Sequence, residues 1–144
     1  MTRSILDRIP MPPSARLLGW QLLDHDADRG WLRVGFDGKP AFVNPAGFIQ
    51  GGILTAMLDD TMGPVALLAS GGRFYTSTID LHVSFLAPAR PGPIVGEANV
   101  VQLGRTVGFI EGRLLDKAGT LLARATTSAR LVPVERVVEV QPAA

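Results

Sequence analysis

The chain has no cysteine, few aromatic residues and an almost balanced charge. None of its 144 residues is Cys, 6% are Phe, Trp or Tyr, and the formal net charge at pH 7 is +1. Without cysteine there can be no disulfide, no thiolate nucleophile and no cysteine-ligated metal. Because the basic residues are scattered and form no Lys/Arg block, we expect neither a nucleic-acid partner nor binding to an anionic membrane surface.

Signals for export or membrane insertion are also missing from the pattern. The first ten residues contain no apolar run of the kind found in signal peptides. The longest apolar region, which starts at Gly51, is interrupted by carboxylates and is predicted to be well short of a membrane span. We therefore expect a cytoplasmic protein with one domain. The predicted organisation is an N-terminal lead-in over residues 1–16, a single domain over 17–133 and a C-terminal tail over 134–144.

The region from Gly51 to Ala69 is the most unusual part of the sequence. It reads as one helix that ends at Ser70-Gly71-Gly72. Its polar side chains are Thr55, Asp59, Asp60 and Thr61. A helix that is apolar on all sides is normally buried, and a buried carboxylate is costly unless it is paired or hydrogen-bonded. Since the helix carries no Lys or Arg, its carboxylates are the first place to look for chemistry.

Short alternating segments around this helix predict antiparallel strands. Apolar and polar residues alternate from Tyr75 to Leu86, as they do in a half-buried strand. Tight-turn signals then separate the later segments. The predicted strands are Leu17–Asp24, Trp31–Phe36, Tyr75–Leu86, Ile94–Leu103, Thr106–Leu115 and Leu121–Pro133. The pattern indicates an α+β domain, in which one long central helix is wrapped by a curved antiparallel sheet of five to six strands.

An ordered set of motifs is similar to a known family. Asn44 is followed by Gln50-Gly51-Gly52, and Asp59 lies seven residues beyond the second glycine. The segments 78–81, 85–92, 104–105 and 116–123 extend the set. Over about residues 17–132 the chain resembles the hotdog-fold thioesterases of the PaaI-type and 4-hydroxybenzoyl-CoA thioesterase superfamily. The resemblance implies a hotdog fold and a homodimer or homotetramer whose site is shared between subunits.

The same resemblance implies roles for individual residues. Asp59 would supply the catalytic carboxylate, as nucleophile or as general base for water. Gly51 would offer its backbone N–H to the thioester carbonyl, and Asn44 would place substrate or water. The predicted substrate-binding residues are Gln50, Gly52, Thr78, Arg90 and Arg105. The two arginines are proposed from their place at the ends of elements, where they could meet coenzyme A phosphates.

Gln50 departs from the family pattern, because many relatives carry His at this position. Glutamine can hydrogen-bond a carbonyl or a water, but it cannot become cationic near neutral pH. This weakens any mechanism in which residue 50 acts as an acid. It leaves the role of Asp59 intact. Asp60 lies about 100° further round the helix, so we predict a structural role for it, bonded across a subunit interface or near Thr78.

The expected function is hydrolysis of an acyl-CoA or aryl-CoA thioester, with no metal and no cofactor other than the coenzyme A of the substrate. One alternative is a non-catalytic acyl-thioester binding module, which should have lost Asp59. Another is a hotdog dehydratase or hydratase, which normally needs a catalytic histidine, whereas His25 and His82 are not placed near the helix start. The sequence does not identify the acyl group. It also does not distinguish coenzyme A from acyl carrier protein as the thiol carrier.

Overall fold

A six-stranded antiparallel sheet wraps around one long helix. The computed structural model describes residues 4–137, and within them the strands are ordered β1-β2-β4-β5-β6-β3. The helices are α1 (Pro13–Leu18) and α2 (Gly51–Ala69). The strands are β1 (Gln21–Asp26), β2 (Trp31–Gly38), β3 (Phe74–Phe85), β4 (Gly92–Leu103), β5 (Val107–Asp116) and β6 (Leu121–Pro133). This is the predicted α+β architecture, with all six strands present.

Helix α2 begins and ends where the sequence predicts. Gln50 precedes it in an extended conformation, with φ −61° and ψ 140°. At the other end Gly71 and Gly72 both have positive φ, 66° and 86°. The N–H of Gly72 donates to the carbonyl of Leu67 at 2.9 Å, and that of Gly71 donates to Leu68 at 3.2 Å. This pair of bonds is the Schellman arrangement that closes a helix at glycine.

The core lies between α2 and the concave face of the sheet. Fully buried side chains on the helix include Met57, Leu58, Met62 and Val65, each at 0% exposure. By length and mean hydropathy alone α2 could cross a bilayer. The sequence had predicted that this region is too short to do so. Half of its apolar window is buried inside the protein.

The N-terminal boundary differs from the prediction. Leu17 and Leu18 belong to the short helix α1 instead of the first strand, which begins at Gln21. Pro13 occupies the first turn of α1, where its fixed φ suits a helix, and Gly19 ends the helix with φ 74°. These local signals outweigh the apolar pattern that suggested a strand from Leu17.

Strand β3 is an edge strand with a bulge. Thr78 pairs with Ala129 and Asp80 with Ser128, so that Ile79 is left without a partner in the register. The extra residue breaks the period-two alternation. The alternation from Tyr75 to Leu86 predicts that the apolar residues of this strand share a buried face. Ile79 and Phe85 do not follow it, because they are 60% and 54% exposed. One side of β3 pairs with β6, and the other side is open.

Candidate active site

Asp59 and Thr78 meet where α2 passes β3. The hydroxyl of Thr78 donates to Oδ1 of Asp59 at 2.8 Å, so these two predicted site residues lie together in one chain. The sequence predicted a buried Asp59, and this is wrong for the single chain, where Asp59 is exposed. The reason is that Gly52, Ala56 and Asp59 follow one stripe of α2 that the sheet does not cover. The carboxylate therefore opens onto the uncovered side of the helix.

Asp60, the next residue of α2, is half-buried. Burial, and secondly the charge of Asp59, raise the pKa of Asp60 from 3.8 to about 6. Its Oδ2 atom is buried and has no hydrogen-bond partner among the described residues. The predicted link to Thr78 is not made, because that hydroxyl serves Asp59. Since the folded-state pKa is the higher one, the stability linked to protonated Asp60 is fully present below pH 3.8 and is lost as the pH rises through about 6.

The N-terminus of α2 presents free backbone donors. The N–H groups of Ile53 and Leu54 both donate to the carbonyl of Gln50, at 2.9 and 3.1 Å. Those of Gly51 and Gly52 make no backbone hydrogen bond within the described chain, as expected at a helix start. A Cβ on Gly51 would lie 3.2 Å from the Phe85 ring, so glycine allows this ring to pack against the start of α2. The exposed Gln50 side chain makes no capping bond.

Asn44 shapes the loop that leads into α2. Its side-chain oxygen accepts hydrogen bonds from the N–H groups of Ala46 and Phe48, at 2.9 and 3.2 Å. Its own N–H donates to the carbonyl of Phe48 at 2.7 Å. The carboxamide oxygen is thus engaged in an Asx turn. Only the side-chain N–H donors of Asn44 are available for substrate or water.

The two predicted phosphate-binding arginines lie at opposite ends of the sheet. Arg90 is exposed, stacks over Phe48 at 5.5 Å and follows Ala89, whose carbonyl accepts the N–H of Ile49 just before α2. Arg105 lies in the β4–β5 turn, next to Thr106, which bonds to Leu131. The structure therefore brings Arg90 close to the start of α2 and does not bring Arg105 there.

A cavity of about 200 Å³ adjoins the two carboxylates. Its walls come from α2, the start of β3 and the N-terminal segment that precedes β1. It is lined by Leu6, Ile9, Pro10, Met11, Pro12, Ala15, Trp20, Asp59, Asp60, Gly63, Pro64, Leu67, Tyr75, Thr76 and Thr78. The sequence reading missed the contribution of residues 6–20, whose only signal was a set of apolar residues among the prolines. In the described part of the chain no cluster of His, Asp and Glu could hold a metal ion.

Comparisons with known proteins agree with this architecture. The family model described as Thioesterase superfamily matches residues 46–123. A candidate esterase of Halobacterium salinarum is 38% identical over 99 residues, which is 66% of this chain and 64% of that protein. Human acyl-coenzyme A thioesterase 13 is 35% identical over 83 residues, or 56% of this chain and 59% of the human protein. The chain thus spans less than two thirds of the length of both relatives.

A solved structure extends the match to nearly the whole fold. The phenylacetic acid degradation-related protein of Ralstonia eutropha JMP134 superposes with a TM-score of 0.82 at 34% identity, covering 88% of this chain and 95% of that chain. The family match includes the start of α2, Asp59 and Thr78. The chain belongs to the thioesterase superfamily and has its hotdog fold.

Proposed function

We propose that this protein hydrolyses acyl-CoA thioesters, with Asp59 as the general base. The observation that carries the proposal is the 2.8 Å bond from Thr78 to Oδ1 of Asp59 at the mouth of the cavity. This bond fixes one carboxylate oxygen and leaves the other free to accept a proton. Water would attack the thioester carbon and give its proton to Asp59. The C–S bond then breaks, and coenzyme A leaves as the thiolate.

The oxyanion formed during the attack needs donors that Asp59 cannot supply. The N–H groups of Gly51 and Gly52 are suited to this because they are free and lie at the positive end of the helix dipole. Gly51 and Asp59 are eight residues apart on α2, or about 12 Å along its axis. One chain therefore cannot bring both to a single carbonyl group. The Gly51 end of a second copy would have to complete the site.

The open edge of β3 supports such a dimer. Exposed apolar residues lie along and just beyond this strand, namely Tyr75, Ile79, Phe85 and Leu86. An unpaired, apolar edge strand is a surface that pairs readily with another strand. Sedimentation equilibrium should give at least twice the mass of the chain. A monomer that hydrolyses thioesters at full rate would contradict the shared site.

Coenzyme A is the proposed thiol carrier. The exposed Arg90 lies close to the free N–H groups of α2, where a phosphate of the carrier could pair with its guanidinium. The activity named for human acyl-coenzyme A thioesterase 13 supports this choice. No metal or further cofactor takes part in the proposed scheme, and we place the activity in the cytoplasm.

Thiol release from a panel of short, medium, long-chain and aromatic acyl-CoAs tests the proposal. We expect steady turnover on at least one class, measured with a thiol-reactive dye. Absence of turnover on the whole panel would overturn the proposal. If acyl-CoA binding persisted without turnover, the protein would be the non-catalytic binding module. A dehydratase is disfavoured because His82 is exposed on β3 and neither histidine lines the cavity.

A further inference from the structure

The cavity beside Asp59 is apolar except along one side. Side chains of Leu6, Ile9, Met11 and Leu67 form much of its wall. Its volume of about 200 Å³ is somewhat larger than the roughly 150 Å³ cavity known to admit a benzene molecule. A compact acyl group therefore fits it. No Lys, Arg or His lines the cavity.

Three of the hydrogen-bond donors around the cavity are already used. Thr78 donates to Asp59 at 2.8 Å, and Thr76 donates to the carbonyl of Gly63 at 3.3 Å. The indole N–H of Trp20 donates to the backbone carbonyl of Asp60 at 3.0 Å. None of these bonds reaches the Asp60 carboxylate, whose buried Oδ2 has no partner among the described residues.

An unsatisfied buried carboxylate oxygen is unfavourable, and such groups in native proteins call for an explanation. Here the group lines a cavity that also contains the proposed catalytic base. Burial with Asp59 as its charged neighbour raises the pKa of Asp60 to about 6. A ligand that donates a hydrogen bond to Oδ2 of Asp60 would satisfy this oxygen. A second anionic group would add charge repulsion to the two carboxylates.

We propose that Asp60 is a specificity residue that accepts a hydrogen bond from a hydroxyl on the acyl group of the substrate. The proposal rests on the thioester hydrolysis proposed above and names the class of acyl group. Asp59 and Asp60 are consecutive residues of α2, so that the hydroxyl lies a few bonds from the carbonyl carbon. The preferred substrate is a compact, hydroxylated acyl thioester, held by its apolar part against the N-terminal segment and by its hydroxyl at Asp60.

Matched pairs of substrates test this directly. The probes are butanoyl-, pentanoyl- and hexanoyl-CoA, each with and without a hydroxyl on carbon 3, and the readout is the ratio of kcat/KM within each pair. For the wild type we expect the hydroxylated member of the best pair to be favoured at least about tenfold, since a site built to bind a hydroxyl discriminates against the analogue that lacks it.

Two substitutions of similar size separate the hydrogen bond from mere packing. Asp60→Leu removes the acceptor, and the ratio should fall to about one or below. Asp60→Asn keeps a carbonyl acceptor, so part of the preference should remain. Thermal unfolding of both variants establishes that each is folded. A wild-type ratio near one in all pairs, or a ratio unchanged in Asp60→Leu, would overturn the proposal.

Failure of this inference is distinguishable from failure of the proposed function. If no thioester is hydrolysed, the same pairs are used as non-hydrolysable CoA thioethers and their dissociation constants are measured. Tighter binding of the hydroxylated thioether that is lost in Asp60→Leu would support the role of Asp60 even then. Equal binding of both thioethers would overturn it.

Discussion

Asp59→Asn should lower kcat/KM for acyl-CoA hydrolysis by at least about 100-fold, the lower end of what general base catalysis contributes. Asparagine keeps the size of the side chain and can still accept the bond from the Thr78 hydroxyl through its carbonyl oxygen. It cannot take a proton from water or attack a thioester as an anion. The substitution therefore removes the chemistry while leaving the local packing in place. Thiol release on the best acyl-CoA substrate measures the effect.

Thr78→Val is the matched control for this variant. Valine has nearly the same shape as threonine but leaves Oδ1 of Asp59 without its 2.8 Å donor. Because the carboxylate itself remains, we expect a smaller loss, about tenfold. Retention of the wild-type thermal unfolding temperature would show that neither variant acts through misfolding. Hydrolysis by Asp59→Asn at a rate within about threefold of the wild type would exclude Asp59 as the base.

The central helix was predictable because its signals are local. A run of apolar residues, the glycine pair at the start and Ser70-Gly71-Gly72 at the end define Gly51–Ala69 without reference to the rest of the fold. The strand order and the pairing of β3 with β6 depend on long-range contacts, which no local pattern in the sequence encodes. The contact between Thr78 and Asp59, 19 residues apart, was not predicted, because the sequence placed Asp60 near Thr78 instead.

The exposure of Asp59 was not predictable from the sequence for a physical reason. Since α2 is apolar on nearly all sides, its sequence does not reveal which stripe the sheet leaves uncovered. The structure shows that this stripe contains Asp59 while Asp60 turns inward. The bulge at Ile79 was not predictable either, because apolar and polar residues keep alternating through this position in the sequence of β3. The cavity wall depends on how residues 6–20 fold back over α2, which no local pattern encodes.

The distance between α2 and the sheet depends on a glycine that carries no chemistry. Gly96 of β4 is buried opposite Thr61, and a Cβ at this position would lie 2.3 Å from Oγ1 of Thr61 and 3.1 Å from the Phe36 ring. Thr61 is 0% exposed, and its hydroxyl donates to the carbonyl of Met57 at 2.7 Å. Because this side chain is fixed by its own hydrogen bond and by the core, it cannot move aside without cost. A substitution must push the helix away from the sheet.

Gly96→Ala should therefore reduce the free energy of unfolding by about 3 kcal/mol, the upper part of the usual range for overpacking a core. The control is Gly35→Ala on the neighbouring strand β2, where the new methyl would meet Leu23 at an ordinary 3.5 Å. Neither glycine has a positive φ, so backbone strain is absent from both comparisons. We expect the control to change stability by less than about 1 kcal/mol, since alanine also gains from its lower unfolded-state entropy. Urea denaturation of the two variants and the wild type measures the difference, and equal stabilities would show that α2 is free to shift. In that case the close approach at Gly96 would not be what positions Asp59 against Thr78.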